Sequence, residues 1–168
     1  MSRGPRYRIK PRRRREGKTD YRRRLALLKS GKTRIVVRRS LSQMRVQFIN
    51  YHESGDTVIA SAMGSDLKSE YKWSHATSNT SAAYLTGLLA GKRALAAGIT
   101  EGVFDIGRQV PVKGSKVFAA IKGVQDAGVN CYVSEDKIPD ESRIMGEHID
   151  KKIAADVQKM KDSITGGN

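Results

Sequence analysis

Apolar residues alternate with polar ones through two neighbouring stretches, Arg34-Ile35-Val36-Val37-Arg38-Arg39 and Met44-Arg45-Val46-Gln47-Phe48-Ile49-Asn50-Tyr51. A period of two is the mark of a strand with one buried face. A turn signal, Glu53-Ser54-Gly55-Asp56, then leads to a third strand over Thr57–Met63. The short connections predict an antiparallel three-strand meander. Met44, Val46 and Phe48 share one face, as do Ile35 and Val37 in the first strand. Arg34, Val36, Arg38, Arg45, Gln47, Ile49 and Tyr51 share the other, which mixes guanidinium, amide and ring.

The period changes to that of a helix elsewhere. Thr19 or Asp20 caps a first helix running to about Ser30, with Leu25 and Leu28 as its apolar positions and Gly31 as its end. Asn79 or Thr80 opens a long helix through Leu95, closed by Gly98, with a stripe of Leu85, Leu88, Leu89 and Leu95. Gly87 and Gly91 on that helix predict close packing on the sheet. A strand near Val103–Ile106, a helix over Ser115–Ala127 and a strand over Val129–Val133 read as one parallel strand–helix–strand crossover. Apolar residues at Met145, Ile149, Ile153, Val157, Met160 and Ile164 predict one amphipathic helix in the tail. Residues 64–79 read as a long polar connection. Its Trp73 either stacks on a base or anchors the loop, and anchoring is favoured.

The predicted fold class is therefore α/β, with a mixed sheet combining the antiparallel meander and a parallel βαβ unit, packed helices, a disordered basic N-terminal arm and a C-terminal helix. The expected units are residues 1–18 (arm), 19–134 (folded body) and 135–168 (linker and amphipathic helix). The arm is too charged to bury apolar surface by itself.

Charge changes the picture most. Of the chain's 32 Lys and Arg, 17 lie in residues 1–39 with only Glu16 and Asp20 against them, a net of +15. Residues 40–168 hold 15 basic and 15 acidic side chains and are neutral. A neutral body carrying a basic arm suits a dense polyanion, because each cation placed on a phosphate releases condensed counterions. Arg22, Arg23 and Arg24 sit in the first turn of the first helix, where cations oppose the helix dipole, so an external anion is expected to compensate. Tyr7 and Tyr21 interleave with the arginines, and aromatic rings can stack on unpaired bases, although packing of Tyr21 on its helix explains it equally well.

Other chemistry is sparse. Cys131, the single cysteine, excludes an internal disulfide and reads as a buried thiol in a reducing compartment. The longest apolar run, Ala82–Ala90, is interrupted by Thr86 and Gly87, so no membrane span is expected; the start is too charged for a signal peptide, and the reading is a soluble, cytoplasmic protein. His52, His75 and His148 lack metal-ligand spacing. Gly107–Lys116 superficially resembles a phosphate-binding loop, but its lysine precedes the second glycine and Pro111 interrupts it. Asp56, Asp66, Glu101 and Asp105 could be imagined as a metal-binding set, yet turn and strand-end placement explains each singly. No catalytic residue, metal, cofactor, small-molecule substrate or membrane partner is expected.

Gly17-Lys18-Thr19-Asp20-Tyr21-Arg22-Arg23-Arg24-Leu25, Arg34-Ile35-Val36-Val37-Arg38 and Asn79-Thr80-Ser81-Ala82-Ala83-Tyr84-Leu85-Thr86-Gly87-Leu88-Leu89 closely resemble the ribosomal large-subunit proteins that bind 5S rRNA. These are the L-eighteen family of bacteria and archaea, called L-five in eukaryotes. Lys116–Gly123, Asp126-Ala127-Gly128 and Gly146-Glu147-His148-Ile149 resemble its archaeal and eukaryotic branch, and the chain length suits an archaeal member. The resemblance covers nearly the whole chain. It implies a structural protein of the central protuberance that binds 5S rRNA and large-subunit rRNA beside neighbouring large-subunit proteins. Carried across, the family's RNA surface falls on Arg12, Arg13, Arg14, Arg15, Lys18, Tyr21, Arg22, Arg23, Arg24, Arg34, Arg38, Arg39 and Arg45. Arg6, Arg8 and Lys32, from the same basic run, complete the expected RNA-binding set. Two rivals use the same arm: a chromatin-type DNA-binding protein, and an RNA-processing enzyme with a basic substrate arm.

Overall fold

A computed structural model describes residues 4–166. Residues 1–3 of the expected arm and 167–168 of the expected tail lie outside the described residues.

The three alternating segments form strands β1 (Arg34–Arg39), β2 (Met44–Asn50) and β3 (Thr57–Met63), paired antiparallel in sequence order. A fourth strand, β4 (Val103–Asp105), runs parallel to β1, giving the order β3-β2-β1-β4. The parallel element therefore joins β1 to β4 through everything between them. The predicted strand over 129–133 supplies only one bridge, Asn130 to Glu101. The chain leaves the ladder after one residue, so the expected βαβ unit is reduced to that contact.

One sheet face is apolar. Ile35, Val37, Val46 and Phe48 are fully buried on it, as the alternation predicts. Helices α4 (Thr80–Ala96) and α5 (Lys116–Asp126) lie across this face. The side chain of Asn79 caps α4 by accepting the Ala82 N–H at 2.7 Å. Residues 80–91 of α4 are all buried, because the sheet, α5 and the C-terminal helix surround it. A single leucine stripe understates this burial. Its glycines serve the neighbouring helix rather than the sheet. A Cβ on Gly87 would overlap the Ala120 carbonyl, and one on Gly123 would overlap that of Tyr84, so the two helix backbones touch.

The polar stretch after β3 is not a long loop. Helix α3 (Gly64–Tyr71) occupies half of it. Its orphan N–H groups find distant or side-chain acceptors: the Asp66 carboxylate takes Met63 N–H at 3.1 Å and Gln43 takes Ser65 N–H at 2.9 Å. Arg93 on α4 then clamps α3 through Asp66 (2.8 Å) and Glu70 (2.5 Å). Trp73 is 4% exposed and donates to the Ala76 carbonyl at 3.3 Å, so it anchors the chain as favoured.

The tail is two helices, not one. Gly146, at φ 82°, ends α6 (Glu141–Met145), and α7 (Lys151–Gly166) starts afresh after Asp150. Ile153, Val157, Met160 and Ile164 dock α7 onto α4, while Ile149 in the break is exposed. Cys131 is buried, and burial pushes its thiol up to about 12, consistent with an unreactive thiol.

The arm also differs from the expectation of uniform disorder. Pro11 precedes one helical turn, α1 (Arg12–Arg15), which buries nothing. Glu16 pairs with Arg12 (3.4 Å) and Lys18 (2.8 Å), and Arg13 Nε donates to Thr19 Oγ1 at 2.8 Å.

Candidate nucleic-acid interface

The second face of the sheet carries the charge. Helix α2 (Tyr21–Leu28) lies near β4 on this side. Asp20 caps it, accepting the N–H groups of Arg22 (3.0 Å) and Arg23 (3.3 Å). Those bonds, that from Arg23 foremost, hold the Asp20 carboxyl below its usual range. Leu25 faces solvent, contrary to its expected place in the helix's apolar stripe.

Two carboxylates then order three arginines. Asp56, from the β2–β3 turn, receives Arg24 Nη2 on both oxygens (3.0 and 2.9 Å) and Arg34 Nη2 at 2.5 Å. Asp105, at the end of β4, receives Arg34 Nη1 at 3.2 Å and Arg38 Nη2 at 2.9 Å. It also accepts Gly107 N–H at 2.8 Å, while Arg38 Nη1 reaches its backbone carbonyl. The dipole problem at the start of α2 is thus partly solved inside the protein, by Asp20 and Asp56. Arg34 is the expected RNA ligand that the structure removes from the surface. It is 3% exposed and held by two carboxylates, so in this structure its guanidinium ties β1 to the β2–β3 turn and to β4.

The remaining expected residues divide by partner. Arg6, Arg8, Arg12, Arg13, Arg14, Arg15, Lys18, Tyr21, Arg22, Arg23, Arg39 and Arg45 are exposed, and Arg24 and Arg38 are half-buried. Lys32 is exposed but tied to Glu101 at 2.7 Å, away from the arginine cluster. Arg14, Arg15, Arg22, Arg39 and Arg45 have no acidic partner among the described residues. Arg45 also stands directly opposite Arg38 across β1–β2, a like-charge pairing that an external anion would relieve.

Two openings result. One, of about 520 Å³, is lined by Arg14, Arg22, Arg23 and Arg108 with Thr19, Asp20 and Tyr21. The other, of about 470 Å³, lies between α2 and the sheet. Arg108 was invisible as a site residue. It sits in the charge-neutral part of the sequence, and only the fold brings it beside Gly17, where a Cβ would stand 3.2 Å from its Nη1. The carboxylates imagined as a metal set each hold a cation instead: Asp56 and Asp105 the arginines, Asp66 Arg93, and Glu101 Lys32. No cluster of His, Cys, Asp and Glu fit for a metal occurs among the described residues. None of the helices among the described residues is long and apolar enough to cross a membrane.

Residues 5–101 match the family of ribosomal large subunit proteins 60S L5 and 50S L18. The large ribosomal subunit protein uL18 of Korarchaeum cryptofilum is 54% identical over 149 residues, covering 89% of this chain and 76% of that one. Those of Methanothermobacter thermautotrophicus and Aeropyrum pernix are each 53% identical over 149 residues, covering 89% of this chain and 77% and 70% of theirs. The chain belongs to the uL18 family of large ribosomal subunit proteins. These relatives are archaeal, in keeping with the expected branch. In this uL18 chain the family match runs from the arm through α4. It therefore includes every arginine of α1, α2 and β1, and Asp56, whereas Asp105 and Arg108 lie beyond it. The charged face of the sheet is thus completed by residues outside the matched segment.

Proposed function

We propose that this uL18 protein binds 5S rRNA and helps attach it to large-subunit rRNA in the central protuberance, as a structural component without catalysis. One observation carries the reading. Cations from three separate segments, Arg14 of the arm, Arg22 and Arg23 of α2 and Arg108 of the β4–α5 loop, converge on one opening with a single carboxylate among them. Phosphate contacts of this kind fix a nucleic acid's position. Shape would supply selectivity, since the deep groove of A-form RNA is closed to side chains. In this reading residues 1–18 are the RNA arm, 19–134 the body, and 135–168 the segment that meets neighbouring large-subunit proteins in the cytoplasmic ribosome.

The test is competition between 5S rRNA and duplex DNA of equal length for the purified protein, repeated from about 50 to 200 mM salt. Preference for 5S rRNA, with affinity falling about 10³–10⁵-fold over that range if 6–10 phosphates are engaged, is the expected result. Equal affinity for both favours the chromatin-type rival. Incubation of the complex with magnesium or manganese should leave the RNA intact, and turnover would favour the processing enzyme.

A further inference from the structure

A carboxylate on a face that binds phosphates repels its ligand unless it serves the site in another way. Asp105, 8% exposed at the end of β4, is such a group. Both of its oxygens are fixed by arginines: Oδ2 takes Arg34 Nη1 at 3.2 Å and Oδ1 takes Arg38 Nη2 at 2.9 Å. Oδ1 also accepts the Gly107 N–H at 2.8 Å, which closes an Asx turn immediately after the strand. Gly107 completes that turn at φ 66°, where a side chain would be strained. A Cβ at this position would also stand 3.0 Å from Arg38 Cζ.

The next residue, Arg108, leaves the turn exposed and reaches Gly17 of the arm. It thereby joins Arg14, Arg22 and Arg23 around the basic opening. Arg108 forms no ion pair with a carboxylate among the described residues, so no counter-charge of its own holds it there. Beyond the Asp105 bonds, the turn is crossed by the Gln109 N–H to the Ile106 carbonyl at 3.4 Å, outside the usual range for a strong bond. The Asp105 side chain is what fixes the direction in which Arg108 departs.

We propose that Asp105 is a positioning residue for the RNA surface: through the Gly107 turn it aims Arg108 into the basic opening, where Arg108 meets a phosphate. Asp105 itself touches no RNA. The inference rests on the RNA-binding reading above and deepens it by naming the residue that sets one of the converging cations.

Charge and geometry predict opposite signs for the loss of Asp105. If charge alone mattered, removing a carboxylate from a cationic face would strengthen binding of a polyanion. If Asp105 sets the turn, its loss weakens binding, because Arg108 no longer stays in the opening.

The test is the affinity of the full chain for 5S rRNA from about 50 to 200 mM salt. Asp105→Ala, Arg108→Ala and the double variant are compared at a temperature where each has the circular dichroism of the folded wild type. Arg108→Ala should lower the salt slope by about 0.7–0.9, the share of one phosphate contact. Asp105→Ala removes no cation, yet it should weaken binding and lower the slope by the same amount. The double variant should bind no more weakly than Arg108→Ala alone, since residues that act through one contact are not additive. Asp105→Asn keeps an acceptor for the Gly107 N–H and should restore the wild-type slope. Should Asp105→Ala fail to fold, Gly107→Ala takes its place: it changes no charge, strains the turn, and should give the Arg108→Ala slope. Four results would overturn the inference and leave the RNA-binding reading intact. They are a turn variant that binds as tightly as the wild type or more so, losses that add in the double variant, an Asp105→Asn no better than Asp105→Ala, and an Arg108→Ala slope equal to that of the wild type. A wild-type chain that does not bind 5S rRNA would remove both.

Discussion

Arg34 Nη1 donates to Asp105 Oδ2 across 3.2 Å, tying β1 to its parallel neighbour β4 from a guanidinium that is 3% exposed. Asp105 lies opposite Val36, two residues beyond the ladder partner of Arg34, so the side chains slant across the pair. Asp56 binds the other end of the same guanidinium and carries Arg24 of α2 with it. Through this bridge helix α2 is registered on the sheet.

Breaking that bridge should unfold the protein more readily. Asp105→Ala leaves a buried guanidinium short of one counter-charge, a change that costs about 3–5 kcal/mol when a buried pair loses a member. Asp56 remains as a partner, so the lower end of that range is expected. The midpoint of urea denaturation should fall accordingly, and Asp105→Asn, which keeps an acceptor, should fall less.

Gly87→Ala tests the contact between α4 and α5. Alanine gains about 1 kcal/mol of helix propensity over glycine. The new methyl would overlap the Ala120 carbonyl, and backbone does not yield as a side chain tip does. Overpacking of this kind costs about 1–3 kcal/mol, at the upper end here. A net loss of about 2 kcal/mol should lower Tm by about 4–8 °C in a calorimetric scan.

Unpaired surface arginines should behave differently from paired ones. Arg22→Ala removes a cation with no acidic partner among the described residues. It should leave Tm unchanged, weaken 5S rRNA binding and reduce the salt slope by about 0.7–0.9. Arg34→Ala should instead show a stability loss first, visible in the melting curve without any RNA present.

Removing residues 1–18 should leave the far-ultraviolet circular dichroism of the body in place, because the described part of the arm, residues 4–18, buries no side chain fully. Affinity for 5S rRNA should drop by at least about tenfold at physiological salt. A collapsed spectrum would show that the arm belongs to the fold.

Asp156 of α7 links acid to the docking of the C-terminal helix. Its carboxyl accepts from His75 Nε2 at 2.9 Å, and that bond, ahead of nearby Lys159, holds it below its ordinary 3.8. A depressed folded-state value contributes stability that is present above 3.8 and lost as pH falls through the depressed value. Asp156→Asn should therefore melt below the wild type at about pH 6, and the two curves should converge in strong acid.

The elements legible from sequence are those whose determinants are local. Strands β1 and β2 followed from period-two alternation, β3 from the turn signal at Glu53-Ser54-Gly55-Asp56, and the start of α4 from Asn79, because a strand face, a turn or an N-cap is written within a few residues. Helix α3 was hidden because, Asp66 apart, its start is capped by Gln43 and its body clamped by Arg93, both far along the chain. The single-helix tail failed at Gly146, where an apolar spacing that looked continuous spans a left-handed turn.

The same division holds for the candidate interface. Composition alone determined that the basic residues crowd the first quarter of the chain, and short motifs determined the family resemblance. Which of those cations face outward was decided only by the fold. Arg34 and Arg22 look alike in sequence, but Asp56 and Asp105 stand 22 and 71 residues from Arg34, and chain folding alone brings them to it. Arg108 joins the cluster by the same route, from a segment whose own charge is balanced. Charge is a property of the residue, whereas its availability depends on which counter-charge the tertiary structure places within hydrogen-bonding distance.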